Sequence, residues 1–174
     1  MRKMKVLLIR SPRYYWPFIN EYDNFLLPQS LPCLAAALRQ SGVSVKVIDC
    51  MPMKMGWKSL ESYIKSENPD IVGVGDSESM YSNEAIRVFK IAKALNPKVI
   101  TVAGGAHFSN LAHESLNEFP IDFIVQGEGE TTFVELVNEL SKTNPDFKSI
   151  NGIVFKQSDR IVETSPRKLI ENLD

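Results

Sequence analysis

Few residues of this chain are of a kind that carries out chemistry, and their spacing gives catalysis little support. The two histidines, His107 and His113, and the two cysteines, Cys33 and Cys50, are scattered without the spacing of a metal site. No CxxC or CxxxCxxC occurs, so the chain by itself holds no cysteine-ligated iron–sulfur cluster of the usual kind. Glu128 and Glu130, in Gly127-Glu128-Gly129-Glu130-Thr131, have the look of an acid–base pair. A place at a helix start gives them a simpler use, facing the positive end of the helix dipole and capping free N–H groups. No catalytic residue and no metal ligand is assigned.

The stronger signal is a set of residues without side chains. Val99-Ile100-Thr101-Val102-Ala103 runs directly into Gly104-Gly105-Ala106-His107, and Ile71-Val72-Gly73-Val74-Gly75 runs into Asp76-Ser77-Glu78-Ser79. Runs of β-branched residues are strands buried on both faces. Glycines at their C-terminal ends let a ligand approach the backbone or let the chain take positive φ. Ser77 and Ser79 at the rim can hydrogen-bond such a ligand. The competing reading is that these glycines only allow helices to pack closely on the sheet. Four of them on two adjacent strand ends fit that reading less well than one would.

The elements that position these residues follow from periodicity. Strands are expected at 5–10, 43–49, 71–75, 99–103 and 122–126. Helices are expected from Leu31-Pro32 to Ser41-Gly42, at 57–66, at 84–95 with Ser82 as N-cap, at 111–119 and at 131–142. Such alternation implies an α/β, doubly wound sheet of five parallel strands, flavodoxin-like or Rossmann-like, in the order 2-1-3-4-5. That order places strands three and four side by side, so their bare ends would form a groove for a long thin group. A β-hairpin follows at 152–164. The division expected is an α/β domain over residues 1–147 and a hairpin and connector over 148–174. Residues 11–30 form a long, aromatic, proline-rich connection, against the usual roughly 2–6 residues. It either packs over the sheet edge or covers a ligand or partner.

Several ligands of this architecture are disfavoured by missing signatures. The first strand is followed by Ser11-Pro12-Arg13, not GxGxxG, and no GxxxxGK[ST] occurs. Carboxylates follow Gly73 and Gly75, where a phosphate would be repelled. A phosphoacceptor site would need acids at the end of the first strand, which instead closes on Arg10-Ser11. Hydrophobic residues make up 44% and charged residues 24%, with a net charge of −1, so no basic field draws in nucleic acid or a membrane surface. No apolar run is long enough to span a bilayer, and a cytoplasmic location is expected.

The chain resembles the N-terminal cobalamin-binding domain of cobalamin-dependent radical S-adenosylmethionine enzymes. The resemblance rests on Leu31-Pro32-x-Leu34-Ala35-Ala36-x-Leu38 closing at Gly42, on Val47-Ile48-Asp49, on Pro69-Asp70-Ile71-Val72-Gly73-Val74 and on Ala103-Gly104-Gly105-Ala106-His107. Its most specific part is Asp122-x-Ile124-Val125-Gln126-Gly127-Glu128-Gly129-Glu130-Thr131. Ile150-Asn151-Gly152-Ile153 with the hairpin resembles the connector before a catalytic barrel, and residues 169–174 resemble the approach to it, as in a fragment ending where the radical domain begins.

The resemblance implies a cobalamin whose nucleotide tail enters between strands three and four, against Gly73, Gly75, Gly104 and Gly105, with Ser77 and Ser79 at the rim. It implies a corrin ring across the strand ends, near Ser11, Pro12, Ala106, His107, Gly127, Glu128 and Gly129. The DxHxxG pattern that supplies a cobalt ligand is absent, as is usual in the radical branch. The fragment then binds and orients and is not itself catalytic. A 4Fe-4S cluster and S-adenosylmethionine would belong to a C-terminal radical domain of the same polypeptide, in a parent enzyme of methyl transfer or rearrangement. The alternative is a cofactor-free scaffold or substrate-recognition domain of the same fold.

Overall fold

Strand β1 (Lys5–Arg10) is exposed only at its first residue, and β3 (Ile71–Val74) is buried throughout. Such strands need helices on both sides. The computed structural model describes residues 4–13, 29–75 and 79–168 and shows that arrangement. With β2 (Ser44–Asp49), β4 (Ile100–Gly104) and β5 (Phe123–Val125), the parallel strands lie in the expected order β2-β1-β3-β4-β5. The hairpin of β6 (Ile153–Gln157) and β7 (Arg160–Glu163) continues the same sheet, with β6 antiparallel to β5. The residues of the expected connector thus complete the core, where Ile150, Ile153, Val154 and Phe155 are buried.

Helices α1 (Ser30–Gln40) and α6 (Gly129–Leu140) cover one face of the sheet. On that face Leu31, Ala35 and Leu38 of α1 and Phe133, Leu136 and Val137 of α6 meet Val6, Leu8, Ile71 and Val102. Helices α2 (Trp57–Glu67), α3 (Ser82–Leu95), α4 (Ala106–Asn110) and α5 (Ala112–Glu118) cover the other face, over Leu7, Ile9, Val72 and Ile124. Each fully buried Leu, Ile or Phe in these layers contributes about 1.5–3 kcal/mol.

Three local expectations are revised. Ser82 does not cap α3: the N-cap is Tyr81, and the Ser82 hydroxyl donates to the Ser79 carbonyl at 2.9 Å. The segment after β4 becomes helical at Ala106, well before residue 111, because Gly105 at φ +93° turns the chain straight into α4. Helix α6 likewise begins at Gly129, two residues before the expected Thr131.

At the N-terminal edge of the sheet the Asp122 carboxylate accepts hydrogen bonds from the Thr101 amide at 2.8 Å and from Lys93 Nζ at 2.6 Å. This joins β4, α3 and the start of β5 and gives the aspartate of the most specific motif a structural use. Glu139, near the end of α6, is buried, and its Oε1 accepts from the Asp146 amide at 2.6 Å while Lys142 pairs with Oε2. The Asp146 amide, and then Lys142, hold its carboxyl below the ordinary 4.5. A depressed carboxyl stabilises the fold fully above the unfolded value and loses that contribution as pH falls through the folded one. Thermal unfolding of the wild type and Glu139→Gln should therefore differ at pH 7 and converge progressively as pH is lowered below 4.5.

Candidate functional site

The register of the parallel strands lines up one row of residues at the C-terminal edge. Arg10 pairs with Asp49 across β1 and β2, and Gly104 with Val125 across β4 and β5. Leu8 is opposite Gly73, and Val74 opposite Ala103. One step along, Gly75 falls between Arg10 and Gly104. Register partners in a parallel sheet share a face, so Asp49, Arg10, Gly75, Gly104 and Val125 form a row on the α1/α6 side. The two central members have no side chain. Strand β1 connects onward to β2 at one side of the sheet and β3 to β4 at the other, so this row lies at the point where the strand order reverses, the usual ligand position in open α/β sheets.

The glycines of the two strand ends prove to differ. A Cβ at Gly73 would lie 2.8 Å from Leu8 Cδ2 and 3.5 Å from the Phe133 ring. Packing of α6 on β3 therefore accounts for Gly73, and the space beside it is filled. At Gly75, among the described residues, only Leu31 Cδ2 at 3.7 Å and Ser30 Oγ at 3.9 Å come near the same point. At Gly104 only the Val125 carbonyl does, at 3.6 Å. Gly105 is explained by its backbone, with φ at +93°. Among the described residues, the expected groove of four glycines is thus a shorter bare strip at Gly75 and Gly104, with Leu8 and Phe133 occupying the next level down.

The strip is bordered by helix starts. Leu31 and Ser30 stand over Gly75 from α1. On the other side Gly129 opens α6, and a Cβ there would meet Leu34 Cδ2 at 3.1 Å and Val125 Cγ1 at 3.5 Å. The second glycine of Gly127-Glu128-Gly129-Glu130 lets α6 start against α1. The first, Gly127, has φ +69° and, among the described residues, nothing within 4 Å of its absent side chain. Glu128 is the N-cap of α6 but makes no side-chain capping bond, and Glu130 lies in the first turn, where its charge faces the helix dipole.

The other predicted positions fall around this edge. Ser11 and Pro12 are buried directly after β1. Arg13 lies with its guanidinium carbon 3.5 Å from the centroid of the Tyr81 ring, which ties the exit of β1 to the entry of α3. Ser79 is exposed at the start of a 3-10 turn. Ala106 is exposed, and half-buried His107 packs edge-on against Phe108 with ring centroids 5.1 Å apart. Ser77 and the aromatic segment 14–28 lie outside the described residues, as do residues 169–174.

Sequence reasoning left out the ion pair of Arg10 and Asp49. Arg10 is 6% exposed, and its Nη1 is 3.1 Å from Asp49 Oδ2. The available signal was a charged residue closing an otherwise apolar strand. The Asp49 Oδ1 accepts from the Met51 amide at 3.1 Å. Next to it, burial and then the Asp49 charge push the Cys50 thiol up to about 12, so it is a protonated core residue rather than a nucleophile. Among the described residues no group of three or more His, Cys, Asp and Glu is arranged to hold a metal, and no helix is long and apolar enough to cross a membrane.

Comparison with known proteins agrees with this geometry. The B12 binding domain family matches residues 15–137. An uncharacterized methyltransferase of Pyrococcus horikoshii, PH0819, is 38% identical over 100% of this chain and 37% of its own length. The anaerobic magnesium-protoporphyrin IX monomethyl ester cyclase of Rubrivivax gelatinosus is 33% identical over 98% of the chain and 31% of its own length. The chain therefore spans about a third of the length of these curated relatives. Among solved structures, the radical S-adenosylmethionine methyltransferase TsrM of Kitasatospora setae, with cobalamin and a [4Fe-4S] cluster bound, superposes with a TM-score of 0.75 at 23% identity, over 99% of this chain and 30% of that one. The cobalamin-dependent S-adenosylmethionine radical enzyme OxsB gives 0.78 at 19% identity, over 95% of this chain and 22% of that one. At those identities the likeness is one of fold.

Two predictions separate packing from binding here. Gly73→Val should destabilise the chain by about 1–3 kcal/mol through overpacking, whereas Gly104→Ala should stay within about 0.5 kcal/mol; chemical denaturation of both variants checks this. Iodoacetamide at pH 8 should alkylate exposed Cys33 and spare Cys50 until the chain is unfolded, as read by peptide mass mapping.

Proposed function

The chain belongs to the B12-binding domain family, and from that premise we propose that it is the cobalamin-holding module of a radical S-adenosylmethionine enzyme of methyl transfer or rearrangement. The observation that carries this reading is the strip at Gly75 and Gly104. A long substituent can lie on backbone there without displacing a side chain, at the edge where an open α/β sheet takes its ligands.

The residues present fit such a group. The strip is floored by apolar side chains, Leu8 and Phe133, and flanked by Leu31 and Leu34, which suits the heterocyclic end of a nucleotide tail. Hydroxyls border it at Ser30 and, in this reading, at Ser77 and Ser79, which would serve the sugar and phosphate. The broad corrin would rest on the strand ends, against Ser11 and Pro12 after β1, Gly105, Ala106 and His107 after β4, and Gly127, Glu128 and Gly129 after β5. Ser11-Pro12-Arg13 places no imidazole after β1, so the lower cobalt face would take no histidine from this loop.

Bound cobalamin supplies a cobalt centre able to carry a methyl group. The contribution of this chain is to bind that cofactor, orient it and shield one side of it from water. The cluster and S-adenosylmethionine chemistry would come from a radical domain following in the same polypeptide. The chain leads toward that domain through residues 164–168, which are tied back to the sheet and α6: the Gly152 amide donates to the Ser165 carbonyl at 2.8 Å, and Arg167 Nε donates to Thr132 Oγ1 at 2.6 Å and pairs with Glu135. The free thiols of Cys33 and Cys50 suit the reducing cytoplasm, where we place the protein.

The test is direct. Purified chain is mixed with hydroxocobalamin, desalted and scanned in the visible; corrin absorbance should remain with the protein. Gly104→Leu, which fills the strip from its floor without the backbone strain that a substitution at Gly105 would bring, should keep its circular dichroism and lose the corrin. Absence of retained corrin in the wild type rejects the cofactor reading and favours a scaffold domain.

A further inference from the structure

The turn Gly127-Glu128-Gly129 joins β5 to α6, and the chain on either side of it is fastened at one point. Before the turn, the Gln126 amide donates to the Gly152 carbonyl at 2.9 Å. After it, the buried Thr132 hydroxyl donates to the Asn151 carbonyl at 3.2 Å and accepts from Arg167 Nε at 2.6 Å. Arg167 Nη2 pairs with Glu135, which lies on the same side of α6 one turn along. Gly152 is where these contacts crowd together. Its φ is +79°, and a Cβ there would lie 3.4 Å from the Gln126 carbonyl, 3.4 Å from Thr132 Oγ1 and 3.5 Å from Arg167 Cβ. The chain that carries Arg167 is held to the same residue, because the Gly152 amide donates to the Ser165 carbonyl at 2.8 Å.

The Asn151 carbonyl already satisfies the Thr132 donor, so the arginine adds something besides hydrogen-bond completion. Its planar fork grips two residues of one helix face, which fixes the rotation of α6 as well as its position. We infer that Arg167 is a positioning residue for the corrinoid edge, tying the Gly127–Gly129 turn to the segment that follows the hairpin. The inference rests on the cobalamin reading and deepens it, since that turn is the β5 part of the surface offered to the corrin. Such a tie is reciprocal. A ligand resting on the turn steadies residues 164–168, and displacement of those residues changes how the turn meets the ligand.

Visible titrations with hydroxocobalamin and amide hydrogen exchange test this on the 174-residue wild type, Arg167→Ala, Thr132→Val and Thr132→Ser, with circular dichroism as the fold control. Arg167→Ala keeps the Cβ beside Gly152 and loses the fork. It should weaken hydroxocobalamin at least fivefold and speed exchange at the Gln126 amide. Thr132→Val keeps the shape of the side chain and removes the acceptor, so it should reproduce both effects even where Arg167→Ala folds poorly. Thr132→Ser keeps the hydroxyl and should bind within twofold of wild type. Bound hydroxocobalamin should slow exchange across residues 164–168 at least threefold in the wild type and leave it unchanged in Arg167→Ala, a response that a merely structural contact does not give. Wild-type affinity in both Arg167→Ala and Thr132→Val overturns the inference while the cofactor reading stands. Ligand-induced slowing at 164–168 that survives in Arg167→Ala overturns it in the same way. A wild type that binds no corrin rejects the cofactor reading and this inference with it.

Discussion

The contact between α6 and the layer formed by α1 and β3 governs this fold's C-terminal edge. Two helices share one face of a sheet only a few residues deep, and three points decide how close they come. Phe133 of α6 fits where Gly73 has no side chain. Leu34 of α1 fits where Gly129 has none. Arg167, after the hairpin, holds Thr132 and Glu135 of α6 from behind. Close-packed interiors respond to a single methylene, so these contacts fix where α6 begins and how far the helices close over the strand ends. The bare strip at Gly75 and Gly104 is what remains of the sheet edge beyond the reach of Leu8 and Phe133. Its existence depends on α6 stopping there.

This division of labour explains which parts of the structure could be read from sequence. Alternating apolar strands and amphipathic helices specified the parallel sheet and its order, because strands buried on both faces leave little choice of class. The five-residue α4 was missed: it is too short to carry a helical period and starts only because Gly105 takes a positive φ. Pairing of β6 with β5 was equally hidden, since a hairpin's outer partner is chosen by burial of Ile153 and Phe155 and not by any local signal. The candidate site is legible in sequence as a cluster of glycines but not as a set of different glycines. Gly73 and Gly75 look alike in sequence; what separates them is Phe133, remote along the chain and near only in the fold. Arg10 and Asp49 escaped notice for the same reason, being 39 residues apart.

The charges described at this edge include a buried ion pair, Arg10 with Asp49. A buried guanidinium is costly unless it is paired and hydrogen-bonded, and replacing such a pair with apolar residues is often neutral or stabilising. Arg10 meets that requirement in part through Asp49 on the neighbouring strand, with Nη1 3.1 Å from Oδ2.

The groups whose proton affinity is displaced point the same way. Catalytic sites concentrate such groups where the reaction takes place. Among the described residues the shifted groups are Glu139, by the Asp146 amide and Lys142 near the end of α6, Lys46, by Glu67 between β2 and α2, and Cys50, by burial on the α2/α3 face. Each has a local structural cause and none borders Gly75 or Gly104. Among the described residues, what lies around the strip is instead backbone and apolar side chain, a surface suited to holding a large group without reacting with it. A domain built this way takes its chemistry from what it binds and from what is brought opposite that group. The precision it supplies is spatial: among the described residues, a strip at Gly75 and Gly104 bounded by Leu8 and Phe133 below and by Leu31 beside it.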